Sequence, residues 1–244
     1  MRIIAHRGVS SLAPENTIAA FAKCLEVGVS WFEFDIRPLQ DGTLAVIHDE
    51  TLQRTTSGTG LVSDTTFSML RRLDAGLWFG EQYRFERVPE LSTVVELLNE
   101  AKLSANMEVK PPAPCVRDAV CETIKRVASK MRNPNKLLIS SFDPKVLGQL
   151  SDFNLAYILD AAALRADFAG CLARAKSLGC KAIHPEYHGV TEAEIKAMHD
   201  AGFEVNVWTV DSIEMAEELK TWGVDGIITN VPQDLVELAT EGTS

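Results

Sequence analysis

Residues 31–50 read WFEFDIRPLQDGTLAVIHDE, and this stretch decides the fold because it places acidic residues inside an apolar strand. Side chains alternate between the two faces of a strand, so Phe32 and Phe34 share one face while Glu33 and Asp35 share the other. Two residue rises place the two carboxylates about 6–7 Å apart. The pattern predicts a strand with an apolar face and an acidic face.

Asp41 and Gly42 follow this strand and form the pair most typical of a two-residue hairpin turn. A second strand-like run then covers residues 43–48. With Asp41 and Gly42 as the loop, His48 lies directly opposite Asp35, where cross-strand Cβ atoms are about 4.5–5.5 Å apart. The hairpin therefore predicts a cluster of His48 with the two carboxylates. The alternative is an exposed hairpin that turns these polar groups toward water.

The composition predicts a soluble globular protein. The chain has 244 residues and is 46% hydrophobic, enough for the core of one large α/β domain. Its formal net charge of -10 argues against nucleic acid or an anionic membrane as a partner. An anionic substrate would therefore need a locally positive site.

The cysteines predict a reducing compartment. They are five in number and lack CxxC spacing, which indicates neither a disulfide framework nor a zinc site: Cys24, Cys115, Cys121, Cys171 and Cys180. Neither a signal sequence nor an apolar run of about 18 residues is evident. We therefore expect a cytoplasmic protein without stable membrane association.

Strands and helices alternate along the chain. Asn16 is predicted to cap the first helix, and Gly28 to end it. Later helices are predicted at 66–73, 91–101, 116–130, 144–150, 168–178, 192–201 and 213–222, with a last one from Pro232. The predicted parallel strands are 3–7, 31–36, 105–109, 137–141, 155–159, 182–185, 205–210 and 226–229.

Eight βα units in a chain of this length predict a (β/α)8 TIM barrel, whose active site lies at the C-terminal ends of the strands. A two-residue turn forces the second hairpin arm to be antiparallel to the first. We expect a single domain, 1–244, with a small insertion at about 49–89 after this arm. An open doubly wound sheet is the alternative, but no glycine-rich phosphate loop follows the first strand.

Polar residues recur at the predicted strand ends: His6, Arg7, Glu33, Asp35, Glu108, Lys110, Ser141, His184, Glu186 and Trp208. A barrel would bring Glu33, Asp35 and Glu108 together, and two bare like charges 4 Å apart repel by about 4 kcal/mol at an effective dielectric of 20. A cation or a proton is therefore needed. All-oxygen ligation favours a hard divalent metal, Mg²⁺ or Ca²⁺. The alternative is a structural network of ion pairs with Arg7, Arg37 and Lys110.

The remaining rim residues suit phosphoryl chemistry. His6 and His48 are candidates for proton transfer, because imidazole titrates near neutrality. Arg7 and Lys110 would supply fixed positive charge for phosphate oxygens. Two histidines could then serve the attacking and leaving oxygens while the cations neutralise the others.

The ordered set of motifs closely resembles the glycerophosphodiester phosphodiesterase family, and the likeness covers essentially the whole chain. The motifs are His6-Arg7-Gly8, Pro14-Glu15-Asn16-Thr17, Glu33-Phe34-Asp35, Asp41-Gly42, His48-Asp49, Leu52-X-Arg54-Thr55-Thr56, Gly58-X-Gly60, Val88-Pro89, Glu108-Val109-Lys110, Ser140-Ser141-Phe142, Val205-Asn206-Val207-Trp208-Thr209 and Gly223-Val224-Asp225-Gly226-Ile227-Ile228-Thr229. The resemblance implies a (β/α)8 barrel with an insertion after the hairpin.

The resemblance also implies roles for individual residues. A divalent metal would be bound by Glu33, Asp35 and Glu108, proton transfer would fall to His6 and His48, and phosphate would contact Arg7 and Lys110. Two further positions match the family: Glu15, near the site, and Trp208, an aromatic that lines the pocket. Helix capping by the Glu15-Asn16 pair and core packing by Trp208 stay open as alternatives.

The expected reaction is hydrolysis of glycerophosphodiesters, which are deacylated phospholipids, to sn-glycerol 3-phosphate and an alcohol. By resemblance, the glycerol 2-hydroxyl attacks first and water opens the cyclic phosphate. The alternatives are a phospholipase or lyase acting on intact lipids and a non-catalytic phosphodiester-binding barrel. One position departs from the family: Asn230 stands where many relatives have Asp, and we expect it to keep a helix-capping role while losing the charge.

Overall fold

A computed structural model of the chain describes residues 1–239. Across this range, eight parallel strands close into a barrel and a ninth, antiparallel strand pairs outside it. The strands are β1 (Arg2–Ala5), β2 (Trp31–Pro38), β3 (Leu44–Val46), β4 (Ser104–Val109), β5 (Leu137–Ser141), β6 (Asn154–Leu159), β7 (Ala182–Pro185), β8 (Glu204–Val207) and β9 (Gly226–Thr229). The parallel pairing runs β1-β9-β8-β7-β6-β5-β4-β2, and β1 pairs with β2 to close the barrel.

Helices connect the strands around the outside of this barrel. They are α1 (Ile18–Val27), α2 (Phe67–Leu70), α3 (Leu91–Glu100), α4 (Arg117–Ala128), α5 (Pro144–Gln149), α6 (Ala161–Ser177), α7 (Glu192–Asp200), α8 (Ile213–Thr221) and α9 (Pro232–Leu235). No helix among residues 1–239 has the length and apolarity needed to span a bilayer. The predicted TIM barrel is confirmed, and most predicted elements agree with the structure within two residues.

Helix α6 is the largest departure, because it begins at Ala161 where the prediction began at 168. The Asp160 side chain accepts a hydrogen bond from the Ala163 amide and so starts the helix earlier. A non-helical residue, Asp167, then interrupts it at φ -160. The predicted helix corresponds only to the part after this interruption.

Helix α1 packs on β2 through stacked aromatic rings, with the Phe21 and Phe32 centroids 4.3 Å apart. Gly28 ends the helix in the left-handed conformation, as predicted. The predicted N-cap is wrong: Thr17 caps the helix by accepting from the Ala20 amide. Asn16 has a φ of +57, and its side chain turns toward the barrel interior instead.

The hairpin register is also different from the prediction by one residue. Ile36 pairs with Val46, and the backbone amide of Ile47, rather than that of His48, donates to the Asp35 carbonyl at 3.1 Å. A two-residue turn of the type typical for Asp-Gly needs positive φ at both positions, and of the two only Gly42 has it, at +80. The loop therefore takes in residue 40 as well, and the Leu39 amide donates to the Thr43 carbonyl to close it.

Residues 49–89 pack on the outer hairpin arm through a second hydrophobic cluster, separate from the barrel core. Its buried members are Leu39, Ala45, Ile47, Leu52, Val62, Leu70, Ala75 and Val88. Because β3 turns Ala45 and Ile47 toward this cluster, the segment that follows it is fixed beside the C-terminal end of the barrel. This places the loop carrying His48 next to the strand ends.

Candidate active site

The acidic residues lie side by side because β2 and β4 pair in parallel register. Glu33 aligns with Asn106 and Asp35 aligns with Glu108. Side chains two residues apart share a strand face, so all four point to the same side of the sheet. The three carboxylates each offer an oxygen within 4.8 Å of the others. The structure thus brings together the carboxylates that the sequence predicted to meet.

The carboxylate cluster is buried and electrostatically unbalanced. Burial, together with the charges of Asp35 and Glu108, raises the pKa of Glu33 well above its usual value. Burial and Asp35 also raise the pKa of Glu108. Burial raises the pKa of Asp35 as well, but Lys110 and Arg7 outweigh it and hold that pKa below its usual range. The cluster therefore favours a bound cation or a shared proton.

The donor set fits a hard divalent cation. It consists of carboxylate oxygens alone, which is the ligand type that Mg²⁺ and Ca²⁺ prefer. Glu33 Oε1 is buried and has no hydrogen-bond partner among residues 1–239. An orphaned buried carboxylate oxygen in an acidic cluster is a site that a metal ion would satisfy.

Two cationic side chains already contact the cluster. Lys110 Nζ lies 2.9 Å from Asp35 Oδ1 and 2.6 Å from Glu108 Oε1, and Arg7 Nε lies 3.5 Å from Asp35 Oδ2. A structural network of ion pairs was the alternative to a metal site, and these contacts form part of such a network. Arg37 does not take part, because its Nε donates to the His48 carbonyl at 2.6 Å.

Arg7 is aimed into the site by an unusual backbone turn. Its φ is +58, a left-handed conformation that is rare outside glycine. The Arg7 amide donates to Glu33 Oε2 at 2.9 Å. Gly8 follows at φ +78, where an added Cβ would lie 2.7 Å from the Ala20 backbone. Glycine at position 8 is thus needed for helix α1 to approach this turn closely.

His6 reaches the carboxylates from β1. Its Nε2 lies 3.9 Å from Glu33 Oε2, and its Nδ1 is 2.7 Å from Asn230 Oδ1. Burial and the neighbouring Arg7 lower the pKa of His6 to about 4, so the ring is neutral at neutral pH. Asn230 does not cap the last helix as we expected: Val231 is the N-cap residue there, without a side-chain cap. Asn230 instead orients the His6 ring.

His48 lies beside the site rather than opposite Asp35. Its Nδ1 is 2.7 Å from Asp49 Oδ1, and it lines a narrow pocket with Glu15 and Asn16. Burial lowers the pKa of His48, whereas the charge of Asp35 raises it, so the two groups interact electrostatically. The charges of Asp35, Lys110 and Arg7 all act on the His48 ring, which lies near the cluster but lines a different pocket from His6.

Glu15 links the two histidine regions through ion pairs. Its carboxylate accepts from Arg7 Nη1 at 2.9 Å and from Arg54 Nη1 at 2.6 Å. Arg54 also donates to both oxygens of Asp49, at 2.6 and 2.9 Å. Asn16 donates from Nδ2 to Asp35 Oδ2 at 2.8 Å. Glu15 and Asn16 therefore lie beside the carboxylate cluster, and Thr17 rather than this pair caps α1.

Trp208 forms part of the wall of the central pocket. The pocket holds about 290 Å³, counting the part open to solvent, and is lined by His6, Glu33, Asn106, Glu108, Phe142, Ile158, His184, Trp208 and Ile228. The Trp208 indole N–H donates to the His184 carbonyl at 2.8 Å, and its ring meets Phe142 edge-on at 5.7 Å. Its hydrogen bond and its packing fix the ring against the pocket.

Several residues at the site were not predicted as site residues. Arg54, Asp49 and Asn16 join it only through side-chain contacts, although each lies inside or beside a motif quoted above. Asn106 could have been found, because it lies two residues before Glu108 on a strand and so shares its face. Asp211 gave no signal, since only the closed barrel brings it to Asn230.

Comparison with known proteins agrees with this geometry. The family model described as "Glycerophosphoryl diester phosphodiesterase family" matches residues 6–234. A glycerophosphodiester phosphodiesterase of Caldanaerobacter subterraneus subsp. tengcongensis is 34% identical, over 98% of this chain and 98% of that protein. One from Bacillus altitudinis is also 34% identical, with the same coverage of both chains.

Solved structures agree as well. A phosphodiesterase of Oleispira antarctica, solved in complex with the product sn-glycerol-3-phosphate, superposes with a TM-score of 0.90 at 27% identity, covering 97% of this chain and 96% of that one. A glycerophosphodiester phosphodiesterase from Agrobacterium tumefaciens superposes with a TM-score of 0.80 at 27% identity, covering 96% and 97%. Sequence, fold and site together lead to one assignment: the chain belongs to the glycerophosphoryl diester phosphodiesterase family and is an enzyme of that activity.

Proposed function

We propose that this enzyme hydrolyses sn-glycerol 3-phosphodiesters, such as deacylated phospholipids, to sn-glycerol 3-phosphate and an alcohol in a metal-dependent reaction. The observation that carries this proposal is the buried cluster of Glu33, Asp35 and Glu108. His6 lies at its edge, and Arg7 and Lys110 contact it. The glycerol 3-phosphate bound to the Oleispira antarctica relative supports the substrate class.

Glu33, Asp35 and Glu108 would hold the metal, Mg²⁺ or Ca²⁺. When bound, the cation would polarise a phosphate oxygen and neutralise its charge. Arg7 and Lys110 add fixed positive charge beside the carboxylates, where it can bind the other phosphate oxygens. This local charge offsets the net charge of -10 of the chain as a whole.

His6 and His48 move protons in this proposal. Each ring has its Nδ1 beside an acceptor oxygen, on Asn230 and Asp49 respectively, which leaves Nε2 able to take a proton. The glycerol 2-hydroxyl gives up its proton as it attacks phosphorus, and the departing alcohol receives one. Water then opens the cyclic phosphate with the two roles exchanged, so each histidine acts once as base and once as acid.

Location, domain organisation and substrate positioning also belong to the proposal. A cytoplasmic location is proposed from the cysteine pattern of the sequence. The single-domain organisation of residues 1–244, with its insertion at about 49–89, remains a prediction. Glu15 and Trp208 are proposed to position the substrate, Glu15 through Arg7 and Trp208 as a pocket wall.

The test is release of glycerol 3-phosphate from a soluble glycerophosphodiester, compared with an intact phospholipid in vesicles. We expect turnover of the soluble diester alone, loss on chelation and recovery on adding Mg²⁺ or Ca²⁺. Full activity after complete demetallation would refute the metal role. Preferential turnover of vesicles, or release of a cyclic phosphate as the final product, would favour the phospholipase or lyase alternative.

Variants separate the metal site from proton transfer. Glu33→Gln should weaken metal binding and lower kcat at least a hundredfold, whereas Glu26→Gln, on the exposed face of α1, should change neither. His6→Ala and His48→Ala should each lower kcat about 10²–10⁴-fold while the enzyme still binds metal. A loss smaller than tenfold for either histidine would exclude it as an acid or base.

A further inference from the structure

The central pocket has a polar floor that the proposed mechanism does not use. We call Asn106 and His184 the pocket floor; both line the pocket, and each is only 1% exposed. Asn106 Oδ1 and His184 Nδ1 have no hydrogen-bond partner within the described part of the chain. Two orphaned polar atoms thus line the same pocket.

Such orphaned atoms need a hydrogen-bond partner. Leaving a buried donor or acceptor unpaired costs about 1–3 kcal/mol, and native proteins rarely accept this without a reason. The rest of the pocket surface around the floor is largely apolar, with Phe142, Ile158 and Ile228 as walls. A ligand that satisfies the floor must therefore combine polar groups with a short carbon skeleton.

The floor suits a neutral hydroxyl group better than a charged one. Burial, with a smaller effect from Arg2, lowers the pKa of His184 to about 3, so the ring carries no charge at neutral pH. Asn206 Nδ2 lies 3.0 Å from His184 Nε2 and donates to it, which leaves the ring proton on Nδ1. The phosphate-binding cations Arg7 and Lys110 are absent from the residues that line this pocket.

The floor lies one layer below Glu108, where the pocket has room for a small end group. Asn106 lies two residues before Glu108 on the same strand, about 6–7 Å deeper in the barrel. A three-carbon chain whose central hydroxyl faces His6 and Glu33 would extend its end into this space. A hydroxyl that enters this space would accept from His184 Nδ1 or donate to Asn106 Oδ1, the two atoms that lack a partner.

We infer that His184 and Asn106 bind the terminal hydroxyl of the substrate's glycerol moiety and so select glycerol against other alcohols. This inference rests on the proposed function. Since a site built to hydrogen-bond a hydroxyl discriminates against analogues that lack it, the floor would reject a diester whose glycerol is deoxygenated at this carbon. The central hydroxyl, which the reaction needs, is retained in that analogue.

The experiment compares kcat/KM for two diesters with the same leaving alcohol, one of glycerol and one of propane-1,2-diol, which lacks the terminal hydroxyl. We expect the wild-type enzyme to prefer the glycerol diester about 10- to 100-fold. His184→Leu and Asn106→Leu should each reduce this preference to within about threefold. His184→Asn, which keeps a donor near the position of Nδ1, should retain part of it.

Ile158→Val is the matched control, because it alters the same pocket without removing a polar atom, and it should keep the wild-type ratio. An equal rate of the wild-type enzyme on both diesters would overturn the inference, even if the variants fail to fold. So would an unchanged ratio in an active His184→Leu enzyme. Hydrolysis of neither diester by the wild-type enzyme would instead overturn the proposed function, and the inference with it.

Discussion

Asn230 determines which ring nitrogen of His6 carries the proton. Its Nδ2 donates to Asp211 Oδ2 at 2.7 Å, so a flip of the side-chain amide would break that hydrogen bond. Its Oδ1 must then face His6 Nδ1, which holds the ring proton there and leaves Nε2 on the side of Glu33. The neutral amide suits this place because Asp211 already supplies a carboxylate.

We predict that Asn230→Asp alone lowers both kcat and the thermal unfolding midpoint. It would place a second carboxylate against Asp211, and two like charges at about 4 Å repel by about 4 kcal/mol at an effective dielectric of 20. Combining it with Asp211→Asn restores one charge and one amide, and should recover most of both losses. Enzyme assays and calorimetry on the two single variants and the double variant measure this, and a double variant no better than Asn230→Asp would contradict it.

At the scale of elements, the hairpin after β2 depends on one backbone conformation. Gly42 takes a φ of +80 at the end of the loop, and the Asp41 carboxylate accepts from the Thr43 amide at 3.1 Å and from the Phe67 amide at 2.8 Å. The loop thus fixes both the register of the outer strand and the start of α2. Its conformation determines where the segment leading to His48 begins.

We predict that Gly42→Ala lowers the free energy of unfolding by about 1 kcal/mol, because a side chain resists positive φ although the surrounding space is open. Gly42→Asn should be milder, since Asn tolerates this conformation. Gly148→Ala in α5 is the control: its added Cβ would make an ordinary 3.5 Å contact with Leu178, so we expect about 0.5–1 kcal/mol of stabilisation. Chemical denaturation measures all three, and equal effects of the two alanines would contradict the conformational explanation.

For the whole molecule, the closed barrel buries polar and charged side chains at its centre. Glu33, Asp35 and His184 are all at most 3% exposed. A barrel achieves this because inward-facing residues from separate strands form closely packed layers at its centre. Folding must remove water from these groups, which costs free energy. Because the groups are titratable, the stability of the folded protein depends on pH.

We predict that stability falls as the pH drops below 6.5, partly because of His184. Its pKa is about 3 in the folded protein and 6.5 when solvated, so below 6.5 the unfolded chain binds a proton that the folded chain does not. This contribution is about 1.4 kcal/mol per pH unit down to about pH 3. Denaturation of His184→Asn between pH 7 and 4.5 should show a shallower slope than the wild type, whereas His188→Asn, at an exposed histidine, should not.

The sequence by itself determined the barrel and the identity of the acidic cluster. Eight βα units in one chain leave few topologies. Period-two alternation puts Glu33 and Asp35 on one strand face, and a barrel brings Glu108, at another strand end, to the same rim. Both depend on local periodicity, which is a property of neighbouring residues. The order of the motifs then indicated the family, and the comparisons show it.

Tertiary structure decided what periodicity could not. Three features depend on backbone conformations and on contacts between residues far apart in the chain. They are the one-residue shift of the hairpin register, the turning of Asn16 toward Asp35 and the hydrogen bond between Asn230 and Asp211. A loop residue chooses among several hydrogen-bond partners, and only the assembled barrel determines which is within reach. For the same reason His48 lies one residue away from its predicted place opposite Asp35, which Ile47 takes instead.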